Sequence, residues 1–275
     1  MSDQRHERIG AWLAEHATGP VVVLCAEAPG EVAQGRLGVR LESCLAATPA
    51  YRLVDLLIAA GHPLVIARAG CRLPEPAWLT TVARIVGERR IATVDPVPPG
   101  PRGLLADLSH PPVSRRGLLG VFGGDAAQPA HAAIDEAGRL VESLRRLGTI
   151  DGDTEAPARA LSLTACTACG LCVRVCPHEA LDLTHAGTIS TLTHAPDRCQ
   201  GELVCVEACP VAGLDDNGAL PWRAVVSGEP RVLGTLETST CVRCGARTTA
   251  GELCEPCAFR RENPFGWSPP PIARR

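Results

Sequence analysis

The chain has 275 residues, 45% hydrophobic and 21% charged, with a formal net charge of −3, 14 cysteines and only 3% aromatic residues. That length suits two or three modules better than one core, and the slight acidity leaves no basic footprint for nucleic acid. All 27 basic residues are Arg, so neither a Schiff-base lysine nor a phosphate-gripping Walker lysine is available.

With so few aromatics, any core is built mainly from Ala, Val, Leu and Ile. The opening MSDQRHERIG is polar, and no run of about eighteen apolar residues follows, so the expectation is a cytoplasmic chain without a membrane span. Residues 1–100 then alternate short apolar runs with helical patterns. After an opening helix come PVVVLCA, LGVRLES, a helix over YRLVDLLIAAG, PLVIAR, a helix over PAWLTTVARIVG, and IATVD. Strands separated by helices of this length imply βαβ crossovers and a parallel sheet, hence an α/β domain.

Residues 95–130 are dense in Pro and Gly (DPVPPGPRG, SHPPVSRRG, GVFGGD) and read as a linker. The SRRGLL within it is too internal, and its apolar follow-on too short, for a twin-arginine export signal. Ile134, Leu140, Val141, Leu144 and Leu147 fall at helical spacing and predict one amphipathic helix against a neighbouring module. Residues 101–155 are thus expected as linker plus helix, with a further module over 156–230 and a last segment over 231–275.

Eleven of the cysteines lie between Cys166 and Cys257 in short regular spacings. In a chain read as intracellular this argues for metal ligation or redox chemistry over a disulfide framework. CTACGLCVRVCP sets Cys166, Cys169, Cys172 and Cys176 as CxxCxxCxxxCP. Two-residue gaps let the backbone curl so that three sulfurs point inward and amides face the same centre, with Gly170 easing the wrap. The fourth cysteine points away, and Pro177 redirects the chain. A zinc site would pair two CxxC knuckles instead.

A second run, CQGELVCVEACP, supplies Cys199, Cys205 and Cys209, with Glu202 where the first run has its second cysteine. Residues 160–222 resemble the bacterial-type dicluster ferredoxins, in which two such runs are related by pseudo-twofold symmetry and exchange their last cysteines. The resemblance implies a [4Fe-4S] cluster on Cys166, Cys169, Cys172 and Cys209, and a second cluster on Cys176, Cys199 and Cys205. It also implies a hairpin between the runs, for which LDLTHAGTISTL offers two short strands around a Gly turn. Three thiolates suit a [3Fe-4S] centre; alternatively Glu202 donates an oxygen to a fourth iron, or it faces solvent. From residue 166 to 222 two arginines stand against seven acids. Such a face would be steered toward a basic patch on a redox partner, although an acidic surface without a role is the plainer reading.

Cys241, Cys244, Cys254 and Cys257 form two CxxC knuckles nine residues apart. Two knuckles can deliver four thiolates tetrahedrally, and the segment resembles a small zinc ribbon over about residues 235–262. Zinc would hold a segment too small for a core of its own; a rubredoxin-like single iron, another cluster or free redox thiols are the alternatives. The tail FRRENPFGWSPPPIARR reads as an extended surface segment or partner contact.

Cys25, Cys44 and Cys71 each lie at or just beyond the end of a predicted parallel strand, the edge where open α/β sheets bind ligands. The layout LESCLAATPAYRLVDLLIAAGHPLVIARAGC is similar to the delta subunit of methyl-viologen-reducing hydrogenase, a resemblance that implies a [2Fe-2S] centre and relay of electrons to a heterodisulfide reductase. LCAEAPGEV and AGCRLPEP carry one cysteine each where that pattern has more. Packed structural cysteines, a cluster and redox thiols all remain open. The histidines form no HxxxH or HExxH pair, and no GxGxxG follows a strand.

The expected architecture is an α/β N-terminal domain with a parallel sheet, an α+β dicluster ferredoxin-like module and a zinc-ribbon-like C-terminal segment. The expected role is a non-catalytic electron-transfer subunit relaying single electrons to or from an oxidoreductase partner. A self-contained redox enzyme using the N-terminal cysteines, and an iron-sulfur redox sensor, are the alternatives.

Overall fold

The Val-, Leu- and Ile-rich runs of the first hundred residues pair as one parallel sheet in a computed structural model of the chain, which describes residues 2–28, 36–68, 71, 73–94, 103–111 and 135–264. The chain divides into two units, Met1–Gly152 and Asp153–Arg275. Most of the expected linker over 95–130, SRRGLL included, and the tail from residue 265 lie outside the described residues.

In the first unit, α1 (Ser2–His16) precedes β1 (Val21–Leu24) and β2 (Leu37–Arg40). Then come α2 (Ala50–Ala60), β3 (Leu64–Ala67), α3 (Ala77–Val86), β4 (Ile91–Val94), β5 (Leu105–Asp107) and α4 (Glu136–Leu147). The strand order is β4-β3-β1-β2-β5 and every pairing is parallel. All four residues of β1 are buried, as a central strand of such a sheet requires. Strands β2 and β3 flank β1 on opposite sides, and in open α/β sheets the carboxyl edge beside such a reversal of strand order is where ligands bind.

Two features differ from the linker expectation. Leu105–Asp107 pairs with β2 as an edge strand, where Ala106 is buried and Leu105 exposed. The amphipathic helix α4 packs within this same unit: Ser143 Oγ donates to Asp55 Oδ1 at 2.7 Å, Arg146 pairs with the same carboxylate, and Val141 and Leu144 are buried. Asp135 caps α4 by accepting from Gly138 N–H at 2.7 Å.

The second unit begins with β6 (Glu155–Leu163), antiparallel to β9 (Leu214–Pro221). Arg159 and Asp216 lock that pair through two contacts of 2.9 and 2.5 Å. Between them lie the short helix α5 (Leu171–Val175), the hairpin β7 (Leu181–Ala186) and β8 (Ile189–His194), and the single turn α6 (Val204–Glu207). After α7 (Trp222–Ser227), β10 (Arg231–Glu237) adds a third strand to the hairpin, antiparallel to β8. Then β11 (Ser239–Thr240) pairs with β12 (Arg247–Thr248), and α8 (Glu255–Glu262) closes the described chain.

Leu181, Leu192 and Leu214 form the buried centre of the ferredoxin-like module, with Cys172 and Cys205 packed against it. The β6 end meets the β9 start so closely that a Cβ on Gly213 would lie 1.3 Å from the Ala165 carbonyl oxygen. Only glycine can stand there. Among the described residues no helix is long and apolar enough to cross a membrane.

Candidate iron-sulfur and metal centres

The two cysteine runs fold as two copies of one backbone shape, offset by the 33 residues that separate Cys166 from Cys199. Ala168 and Gly201 have φ of 55° and 79°, Gly170 and Leu203 66° and 60°, and Glu179 and Ala212 51° and 49°. Left-handed backbone costs an ordinary L-residue roughly 1–2 kcal/mol. Four such non-glycine residues persist here because the wrap around each centre demands the same turns.

The turns aim amides at sulfur. Ala168 N–H donates to Cys166 Sγ at 3.3 Å. Ala180 N–H donates to Cys176 Sγ at 3.4 Å, and Gly213 N–H does the same for Cys209 Sγ at 3.1 Å, at matching places in the repeat. Gly170 and Leu203 each start a short helix whose second residue is Cys172 or Cys205.

Cys166, Cys169, Cys172 and Cys209 line one pocket together with Leu163, Leu183 and other apolar side chains. The fourth thiol thus arrives from the second run. Burial pushes Cys172 up to about 11, and burial followed by the charges of Cys169 and Cys209 raises Cys166. Thiols crowded this way cannot ionise together without positive charge among them, which iron would supply. In the second set, burial raises Cys205, and its neighbours Cys176 and Cys199 raise it further.

No three thiols of residues 166–209 gather within 4.8 Å of one another, whereas those of Cys241, Cys244, Cys254 and Cys257 all do. The wider spacing fits a multi-iron object and the tighter one a single ion. Sulfurs about 2.3 Å from one tetrahedral ion stand about 3.8 Å apart, and Cys244 and Cys254 are separated by 3.6 Å.

At the C-terminal site Cys241, Cys254 and Cys257 are buried and Cys244 is exposed. Gly245 N–H donates to the Cys241 carbonyl at 2.9 Å, and Cys241 N–H to Ala246 O at 2.8 Å, which shapes the first knuckle. Main-chain N–H groups, that of Cys254 foremost, hold Cys241 down at about 6, while burial pushes Cys257 up to about 12. This segment is tied to the hairpin: Arg247 Nη1 donates to Gly187 O at 2.8 Å, and Thr238 N–H to Thr188 O at 2.7 Å.

Glu202 holds the place equivalent to Cys169, yet its side chain is 49% exposed and Oε1 lies 3.2 Å from His178 Nε2. His178 carried no signal in the sequence, where it belongs to no ligand spacing. Only the offset of the two runs could have pointed to its neighbourhood. In the first unit Cys25, Cys44 and Cys71 also converge, with Cys71 Sγ 3.9 Å from Cys25 Sγ and 3.6 Å from Cys44 Sγ.

Residues 165–212 match the family model described as the 4Fe-4S dicluster domain, so this stretch is a ferredoxin-like dicluster module, a match that supports a [4Fe-4S] cluster there. Among curated proteins, a ferredoxin from Pyrobaculum islandicum is 35% identical over 49 residues, which cover 18% of this chain and 43% of that protein. The chain therefore spans less than half the length of that relative. The family match leaves the first unit and the C-terminal cysteines outside it.

Proposed function

We propose that the chain is an iron-sulfur electron-transfer subunit, relaying single electrons through two clusters to or from an oxidoreductase partner. The observation that carries this reading is the doubled cysteine-bearing backbone with its matched left-handed turns. The first cluster would be a [4Fe-4S] on Cys166, Cys169, Cys172 and Cys209. The second would be held by Cys176, Cys199 and Cys205.

For the second cluster we favour [3Fe-4S], because the Glu202 carboxylate is engaged by His178 and half exposed. A [4Fe-4S] with a Glu202 oxygen on its fourth iron is the other reading, favoured by the position Glu202 shares with Cys169 in the repeat.

Bound clusters supply one-electron storage; the chain decides their surroundings. Apolar Leu163, Leu183 and Leu192 keep water from the first pocket, and the amides on Cys166, Cys176 and Cys209 stabilise thiolate charge. The seven acids of residues 166–222 would steer the module to a basic partner surface. Zinc on Cys241, Cys244, Cys254 and Cys257 would brace the segment that follows β10.

Anaerobic iron and sulfide analysis with paramagnetic resonance of the oxidised protein tests this. About seven irons per chain with a [3Fe-4S] signal are expected; about eight without that signal would favour Glu202 as a ligand to a fourth iron. Protein free of iron and acid-labile sulfide after reconstitution would reject the reading.

A further inference from the structure

The geometry points to a site for one zinc-class thiophilic ion in the first unit, held by Cys25, Cys44 and Cys71 with a fourth position left to a non-cysteine ligand. The site is assembled by strand order. Leu24, the last residue of β1, pairs with Arg40 of β2 and Ala67 of β3, so three chains leave the sheet side by side. Cys25 follows β1 directly. Cys44 opens a 3-10 turn over Leu45–Ala47, which Ala47 N–H closes on the Cys44 carbonyl at 2.8 Å. Cys71 sits in a turn in which its N–H donates to Arg68 O at 2.8 Å. The carboxyl edge of the sheet is where folds of this type accept ligands.

Three observations select a single ion. First, the thiols lie mutually within 4.8 Å, with separations of 3.6 and 3.9 Å to Cys71, on either side of the roughly 3.8 Å edge expected for sulfurs on one tetrahedral ion. Thiolates on the two different irons of a [2Fe-2S] centre are held farther apart than that, so this arrangement departs from what the hydrogenase-subunit resemblance implies. Second, Cys71 approaches both neighbours almost equally, and a disulfide with either would strand the third thiol. Third, the floor beneath them is apolar: Val22, Leu24, Ala28 and Ala67 are all buried. Three thiols turned toward one another over such a floor gain little from packing alone, but each can give its proton to solvent and its lone pair to a metal.

A positive group lies close by: Arg68 Nη2 donates to Leu73 O at 2.7 Å, the carbonyl that Cys71 Sγ also approaches at 3.9 Å, while Nη1 pairs with Glu75 Oε2 at 3.3 Å. Arg68 Nε is buried without a partner. Among the described residues no His, Asp or Glu atom joins the three thiols within 4.8 Å, and the other eleven cysteines belong to the dicluster runs and the C-terminal knuckles, which leaves the fourth position to a non-cysteine ligand, as in open zinc sites.

The test uses the full chain, purified anaerobically and loaded with zinc, as wild type, Cys44→Ser, Cys71→Ser and Cys254→Ser. Each of the first two variants is expected to lose about one zinc per chain, with iron and acid-labile sulfide unchanged. Cys254→Ser should keep that zinc, and its zinc-edge X-ray absorption should show three sulfurs and one lighter atom. Equal zinc in wild type, Cys44→Ser and Cys71→Ser would overturn the site. So would loss of iron and sulfide in the Cys44 and Cys71 variants, the mark of a two-iron centre, or a native mass two hydrogens short from a Cys44–Cys71 disulfide. None of these outcomes bears on iron in the dicluster module, whose failure would be read separately.

Discussion

His178 Nε2 stands 3.2 Å from Glu202 Oε1, and this pairing joins the end of the first cysteine run to the one position where the second run departs from it. Glu202 is placed by the same turns that place Cys169, between Gly201 and Leu203, both left-handed. The backbone is therefore prepared for a fourth thiolate, and only the side chain differs.

From this follows the outcome for Glu202→Cys. The variant should lose the [3Fe-4S] resonance of the oxidised protein and gain about one iron per chain. Glu202→Ala should keep the resonance, since a carboxylate turned to His178 contributes no ligand. Persistence of the three-iron signal in Glu202→Cys would show that the corner is closed to a thiolate.

Gly213→Ala should be among the most damaging substitutions in the second unit. Its Cβ would fall 1.3 Å from the Ala165 carbonyl, and the shift needed to relieve that would move the amide bonded to Cys209 Sγ. A loss of about 3 kcal/mol or more is expected in denaturant unfolding, with reduced iron retention. Gly19→Ala, which would meet nothing within 4 Å, should stay within about 0.5 kcal/mol of wild type.

His194 is 1% exposed and neither ring nitrogen has a hydrogen-bond partner. Burial, followed by the charge of Arg231, holds its pKa below the usual 6.5, so the folded chain keeps the ring neutral where the unfolded chain takes up a proton. Stability from this group is present above pH about 6.5 and is lost as pH falls through and below that value, with a limiting slope of about 1.4 kcal/mol per pH unit. His194→Leu should flatten that slope between pH 7 and 5 and raise stability at pH 7 by about 1 kcal/mol. An unchanged pH profile in chemical denaturation would assign the acid sensitivity elsewhere.

Removing the zinc proposed on Cys241, Cys244, Cys254 and Cys257 should be a local event. Cys254→Ser is expected to release about one zinc while iron, sulfide and cluster signals remain. Amide exchange should rise through Ser239–Thr248, where two-residue strands have few other restraints. Faster exchange should stop at β8, whose pairing with β7 does not depend on that site.

Local chemistry was legible in the residues alone. The CxxCxxCxxxCP run and its partial repeat declare themselves because ligand wrapping is a property of a dozen consecutive residues. LDLTHAGTISTL reads as a hairpin because two residues, Gly187 and Thr188, suffice to turn it. The strands β1 to β4 and helices α2 to α4 were likewise visible as apolar periodicity. Leu105–Asp107 was hidden, since three residues in a Pro- and Gly-rich stretch carry too little pattern to mark an edge strand, and β10 joins β8 across some forty residues of sequence. A separation of 24 positions concealed the pairing of His178 with Glu202, whereas the meeting of Cys25, Cys44 and Cys71 was foreshadowed by their places at the carboxyl ends of predicted parallel strands. Which atoms share a centre is decided by strand order and by the crossing of the two runs, and those are set by burial of apolar side chains summed over each unit rather than by any short segment.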